Sequence, residues 1–250
     1  MFRLLILLST IFLFSCLENN LPVDEPSSIA NLSKALLEQP NDTVLLKERR
    51  NRFIESGELE KAIIDQQQLF ELDTSNLSFR HDLADLYFDL YPTNSIYISK
   101  SLALISENHT IFSPILLLRA KLFYVLQNYS QSLKDLNTFL TSNPFDPEAY
   151  FFKGLNYKDM GNLEMAQSQF HTAVEQDPNF VESYEQLAFI YYSRGDSLAK
   201  YYFKNALICD SNLISSWYNL GMYYQKQGDF HNAKKSYCLL YTSDAADDRV

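Results

Sequence analysis

Residues 150–178 read YFFKGLNYKDMGNLEMAQSQFHTAVEQDP, and the small and aromatic residues of this segment recur along the chain. Tyr150, Tyr184 and Trp217 follow one another at intervals of 34 and 33 residues. A period of 33 or 34 is also kept by Gly154, Ala188 and Gly221; by Tyr157, Tyr191 and Tyr224; by Gly161, Gly195 and Gly228; by Ala166, Ala199 and Ala233; and by Phe170, Phe203 and Tyr237. Self-similarity at such a period indicates a stack of short structural repeats.

The composition favours helices as the content of each repeat. The 250 residues include only 6 glycines and 8 prolines, whereas an all-β chain needs many turns. Hydrophobic residues make up 46% of the chain, which is enough for a folded core. We therefore expect an all-α fold with short connections.

Each recurring residue has a physical role in a pair of helices. Gly154 and its counterparts leave room for the two helices to approach closely. Gly161 is expected to end the first helix in a left-handed turn, and Asn162 to cap the second helix. Phe170 is expected to fill the space between the helices, where burying a ring contributes about 1.5–3 kcal/mol.

The pattern of Tyr150, Gly154, Tyr157, Ala166 and Phe170 resembles the tetratricopeptide repeat family. The resemblance implies an all-α, right-handed superhelical solenoid of antiparallel helix pairs that binds other proteins. It predicts repeats at residues 43–76, 77–112, 113–146, 147–180, 181–213 and 214–237, the last of them truncated. Residues 29–42 are expected to form a helix that caps the first pair. In the first repeat Arg50 occupies the small-residue position, which predicts a loosely packed pair.

The first residues are typical of a secretion signal. Arg3 gives a positive start, and residues 4–14 are apolar but fewer than the roughly 20 that a membrane-spanning helix needs. The run ends at Leu13-Phe14-Ser15-Cys16, which resembles the bacterial lipobox. The resemblance implies that residues 1–15 are removed and that Cys16 is lipidated; an ordinary signal or anchor with an incidental cysteine is the alternative. The polar residues 16–28 predict a tether.

Residues 238–250 break the repeat pattern. After Tyr237 the second helix should continue through an alanine, but the chain reads CLLYTSDAADDRV. This string resembles the translation of an adaptor used in sequencing libraries, and a genuine short acidic tail is the alternative. We therefore expect the native sequence to be interrupted within the sixth repeat.

The sequence contains no pattern typical of an enzyme. Its four histidines are dispersed, and none has a second His or Cys at ligand spacing, so we expect no metal and no other cofactor. There is no glycine-rich phosphate loop and no nucleophile elbow. The formal charge of −10 disfavours nucleic-acid binding.

The resemblance places one side of each first helix on the concave face of the solenoid. The partner-groove positions predicted there are Leu117, Phe151, Leu155, Phe189, Tyr192, Tyr218 and Met222. Side chains of this kind favour a groove for an apolar peptide or a partner helix. The alternative is that several of these rings pack against neighbouring repeats.

Together these features predict a membrane-anchored scaffold that binds a partner protein or peptide. Its layout resembles tetratricopeptide lipoproteins that assist the assembly of outer-membrane proteins, and the pilotins of type IV pili, which is a likeness of fold only. The residues after Cys16 lack the Asp that retains some lipoproteins at the inner membrane, so we expect the bacterial outer membrane, facing the periplasm. The alternatives are a structural subunit of an envelope complex without a peptide groove and, less favoured, a hydrolase that uses surface carboxylates.

Overall fold

The computed structural model describes residues 28–105 and 112–247, with side chains through residue 239. In this part of the chain the backbone forms thirteen α-helices and no strand. They are α1 (Ile29–Glu38), α2 (Thr43–Glu55), α3 (Leu59–Leu72), α4 (Leu77–Leu90), α5 (Ile96–Ile105), α6 (Ser113–Val125), α7 (Tyr129–Ser142), α8 (Pro147–Asp159), α9 (Leu163–Gln176), α10 (Val181–Ser193), α11 (Leu198–Cys209), α12 (Ile214–Lys226) and α13 (Phe230–Asp247). From α2 onwards they alternate as the first and second helices of successive pairs, which confirms the predicted all-α solenoid.

The chain divides into two compact units, and the first of them ends at Leu69. Its described part contains α1, α2 and most of α3. Ser28 and Asp42 cap α1 and α2, and their side-chain oxygens accept hydrogen bonds from backbone N–H groups of the first turn. The two helices contact each other, and Leu32 and Leu46 are among their buried residues.

At the small-residue position of α2, Arg50 is paired with a polar side chain of α3. Opposite it, Gln66 holds the place that Phe170 holds in the fourth repeat, and Gln66 is fully buried. The guanidinium Nη1 of Arg50 donates to Gln66 Oε1 at 2.5 Å. A long side chain against a polar partner therefore replaces a small residue against a ring, and the loose packing expected for this repeat stays a prediction.

The second unit begins at Phe70, and its described residues include all of α4 to α13. Within it each second helix contacts its own first helix and the first helix of the next pair. Buried apolar clusters follow one another along the unit, the first around Ile98 and Ile115 and the next around Leu136. The largest extends from Leu155 in α8 to Tyr223 in α12. The core of this unit is therefore a row of interfaces between neighbouring helices.

Small residues set the separation of paired helices, as predicted. A Cβ atom added to Gly154 would lie closer than 3.0 Å to the ring of Phe170, and one added to Gly221 would lie equally close to Tyr237. Phe170 is fully buried at this contact. The glycine and the ring therefore form one packing unit, because neither has room for a larger partner.

The turns between paired helices also follow the sequence pattern. Gly161, Gly195 and Gly228 have φ values of 81°, 70° and 75°, the left-handed region that glycine tolerates. Asn162 then caps α9 by accepting a hydrogen bond from the backbone N–H of Met165. In the third repeat the same position is held by Gln127, whose φ is 58°.

Candidate partner-binding face

The first-helix face is the set of predicted groove positions on α6, α8, α10 and α12, and the structure divides it into two parts. In the third and fourth repeats its apolar side chains pack inward. Leu155 is 9% exposed and belongs to the largest core cluster. Phe151 packs against the rings of Phe170 and Phe180, with centroids 5.8 and 5.3 Å away. Leu117 is half-buried against the cluster around Leu136. These three positions serve mainly the core.

In the fifth and sixth repeats the same face is open to solvent. Phe189 is 41% exposed, Tyr218 50% and Met222 36%. Tyr192 is half-buried, and the ammonium of Lys226 lies 4.9 Å from the centre of its ring. Exposed apolar side chains grouped in this way are typical of a protein-binding surface.

Tyr237 joins this group, although the sequence pattern gave it only a packing role between α12 and α13. Its ring lies 6.1 Å from the ring of Tyr218, and its hydroxyl donates to Gln225 Oε1 at 3.1 Å. The pKa of Tyr237 is raised, first by burial and then by the nearby phenols of Tyr218 and Tyr192. We call Phe189, Tyr192, Tyr218, Met222 and Tyr237 the aromatic patch. The sequence feature that could have indicated this position is Gly221, because a glycine opposite Tyr237 leaves room for the ring to extend from α13 across α12.

The first helices of the earlier repeats carry polar contacts instead. Tyr124 Oη donates to Asp159 Oδ2 at 2.8 Å, and the pKa of Tyr124 is raised by burial and by this carboxylate. Lys121 Nζ lies 2.5 Å from Glu148 Oε1. These groups link α6 to α8, the first helices of adjacent repeats, through a hydrogen bond and an ion pair. The part of the first-helix face that is both apolar and exposed is therefore formed by Phe189, Tyr218 and Met222, which belong to the aromatic patch.

Within residues 28–105 and 112–247, no three His, Cys, Asp or Glu side chains are grouped so that they could hold a metal ion.

Of the described helices, none has the length and hydropathy to cross a membrane. The predicted signal segment, the lipidation site Cys16 and the tether through residue 27 lie outside the described residues, so these features stay predictions.

Comparison with known proteins supports the repeat assignment. A tetratricopeptide repeat family model matches residues 147–180 and 214–247. The second match and helix α13 both extend past residue 237, and the adaptor origin of residues 238–250 stays a prediction. No curated protein sequence matches the chain.

Solved structures share the fold at low sequence identity. A tetratricopeptide repeat protein from Parabacteroides merdae is 20% identical over 86% of this chain and 85% of its own, with a TM-score of 0.67. TTC0263 from Thermus thermophilus is 20% identical over 66% of this chain and 89% of its own, with a TM-score of 0.55. Human IFIT1, as a dimer with m7Gppp-AAAA, is 18% identical over 86% of this chain and 54% of its own, with a TM-score of 0.64. Residues 147–180 and 214–247 are thus tetratricopeptide repeats, and the described chain has the fold of the tetratricopeptide repeat family.

Proposed function

We propose that this protein is a membrane-anchored scaffold that binds a partner protein through the aromatic patch. The observation that carries the proposal is the exposure of Phe189, Tyr218 and Met222 on consecutive first helices. Exposure of large apolar side chains to water is unfavourable. Covering them with a partner contributes roughly 25 cal/mol of favourable free energy for each Å² of apolar surface buried. Tetratricopeptide repeat proteins generally mediate protein–protein interactions, which agrees with this assignment.

The partner segment that fits the patch is apolar and elongated. Phe189 and Met222 hold equivalent positions in neighbouring repeats, so a bound segment meets similar side chains one repeat apart. Rings supply much contact area with few rotatable bonds, and Tyr adds a hydroxyl for the rim of the interface. A peptide or helix with spaced apolar anchors satisfies these positions.

The patch is tested by replacing Tyr192 and Tyr218 with Ser in the full chain and recovering bound proteins from membrane extracts. A matched control is Tyr201→Ser, because Tyr201 is 56% exposed but lies on the second helix α11. We expect one protein to be recovered with the wild type and with Tyr201→Ser, and lost with the double variant. Equal recovery by a folded double variant favours the alternative, a structural subunit that binds without this groove.

The membrane part of the proposal rests on Leu13-Phe14-Ser15-Cys16 and its resemblance to the lipobox. Acyl chains on Cys16 would hold the protein at the membrane, because each buried methylene contributes about 0.8 kcal/mol. The expected location is the bacterial outer membrane, facing the periplasm. Fractionation of the wild type and of Cys16→Ser tests this: the first belongs in the membrane fraction and the second in the soluble one. If both fractionate alike, the lipid anchor is wrong while the patch proposal is unaffected.

A further inference from the structure

A second surface of the fifth and sixth repeats contains a pocket, on the side of α12 opposite to the aromatic patch. Its volume is about 270 Å³, and the residues that line it come from α11, α12 and α13: Lys204, Trp217, Leu220, Tyr224, Asn232, Lys235, Ser236 and Leu239. This volume lies near the lower end of the range for ligand pockets, about 300–1,000 Å³, and is large enough for a single side chain.

The equivalent place one repeat earlier is filled by Tyr202. Its ring stacks on Tyr191, with centroids 5.1 Å apart and planes at 6°. His171 meets the Tyr202 ring edge-on at 5.6 Å, and Tyr184 lies at 6.5 Å. Tyr201 also meets the Tyr202 ring edge-on at 5.1 Å, so Tyr202 is held in a cage of four rings, and burial raises its pKa.

The repeat period maps this cage onto the pocket. Tyr184 and Tyr191 correspond to Trp217 and Tyr224, 33 residues later, and His171 corresponds to Lys204. Tyr202 itself corresponds to Ser236, 34 residues later, which is buried and donates its hydroxyl to the carbonyl of Asn232 in its own helix. The pocket is thus a cage whose ring has been replaced by a small side chain.

The charge around the pocket indicates which residues should flank a bound ring. Lys204 and Lys235 are exposed at its edge, and none of the described lining residues is acidic. Such a pair of cations stands out in a chain whose formal charge is −10. A ring that enters beside Tyr224 is therefore attracted more strongly when a carboxylate accompanies it.

We propose that this pocket binds a tyrosine or phenylalanine side chain of a partner polypeptide, flanked in sequence by acidic residues. The guest ring stacks on Tyr224 as Tyr202 stacks on Tyr191, and the neighbouring carboxylates pair with Lys204 and Lys235. The proposed contacts are made by Lys204, Trp217, Tyr224 and Ser236, which all precede residue 238, whereas Leu239 lines the same pocket from within the final residues. It is also independent of the aromatic patch, which faces the other side of α12.

The chain has a single tryptophan, and it lines the pocket, so Trp217 fluorescence reports occupancy directly. The probes are the blocked tripeptides Glu-Tyr-Glu, Lys-Tyr-Lys and Glu-Ala-Glu, titrated into the full chain. We expect saturable binding of Glu-Tyr-Glu and affinities lower by about ten-fold for the other two, since a ring contact and a charge contact are each lost. Absence of a saturable change with Glu-Tyr-Glu overturns the proposal.

Two variants separate the pocket from unspecific contact with Trp217. Ser236→Tyr restores the missing ring, so it should abolish Glu-Tyr-Glu binding while preserving Lys204, Lys235 and Trp217. Lys204→Gln changes only an exposed side chain and should weaken Glu-Tyr-Glu binding several-fold while leaving the thermal midpoint unchanged. Wild-type affinity in both variants overturns the proposal. Free 4-hydroxyphenylacetate provides the last comparison: if it binds as tightly as the peptide, the assignment to a polypeptide partner is wrong.

Discussion

Gly154 and Phe170 show how one residue position sets the distance between two helices. The same relation recurs at Gly221 with Tyr237, whereas at Arg50 and Gln66 two long polar side chains are joined by a hydrogen bond. The identity of one residue is therefore informative only together with the residue opposite to it.

Gly154→Ala tests this relation, because two effects of opposite sign compete. Alanine is favoured over glycine within a helix by about 1 kcal/mol, but here its Cβ would meet the Phe170 ring below 3.0 Å. We expect the clash to dominate and the free energy of unfolding to fall by about 1–3 kcal/mol, measured by urea denaturation. In the Phe170→Leu background the same change should cost less. Equal costs in the two backgrounds would show that the ring is not the cause.

Gln127 is a site where the sequence departs from the repeat pattern at an energetic cost. Its φ of 58° is left-handed, which costs a residue with a side chain roughly 1–2 kcal/mol, whereas Gly161 and Gly195 adopt such values freely. Gln127→Gly should therefore raise the stability by about 1 kcal/mol in urea denaturation. The matched control is Gly161→Gln, which should lower it by a similar amount. A loss of stability in Gln127→Gly would contradict this account.

Paired helices in two of the repeats are also joined by a buried ion pair at equivalent positions. Arg49 and Asp65 link α2 to α3, and Arg119 and Asp135 link α6 to α7. In the second pair Arg119 Nε donates to Asp135 Oδ2 at 2.6 Å and Nη2 to Oδ1 at 2.9 Å. The carboxylate raises the pKa of the Arg119 guanidinium above its ordinary value. This two-point geometry fixes the register of one helix against the other.

Removing one partner of such a pair should be far more damaging than removing both. Arg119 and Asp135 have side chains only 12% and 7% exposed, so Asp135→Ala leaves a cation without its partner in the interior. We expect a loss of about 3–5 kcal/mol in the free energy of unfolding. The double variant with Arg119→Met and Asp135→Leu should recover most of it, because no charge remains buried. A double variant as unstable as the single one would show that packing, and not charge, sets the cost.

At the scale of the second unit, stability depends on how the buried clusters connect. The cluster from Leu155 to Tyr223 is continuous across several helices, whereas the one around Ile98 and Ile115 is smaller. Each repeat contacts only its neighbours, so local opening depends on the adjoining interfaces. The aromatic patch and the proposed pocket both lie next to the larger cluster. Among the described residues, their side chains therefore lie beside the larger of these two clusters.

Hydrogen exchange measured by mass spectrometry should show this difference. Amides of α10, at the centre of the large cluster, are expected to exchange at least about ten-fold more slowly than those of α5. Phe203→Leu, which shortens a fully packed ring of the large cluster, should speed exchange in α9 to α11 more than in α4 and α5. Uniform acceleration in all these helices would instead indicate that the unit opens as a whole.

From the sequence alone we could predict the helix pairs, the turns at Gly161, Gly195 and Gly228, and the separate packing roles of Gly154 and Phe170. These features depend on residues that are close along the chain or separated by one fixed period, so the pattern records them. The sequence does not show that Phe151 and Leu155 are packed inward while Phe189, Tyr218 and Met222 remain exposed, because this depends on the packing of the helices. The same packing places Tyr237 in the aromatic patch and leaves a pocket beside Ser236. The physical reason is that exposure depends on the volumes of side chains from several helices at once, and a repeat pattern specifies which side of a helix a residue occupies but not how completely its neighbours cover it.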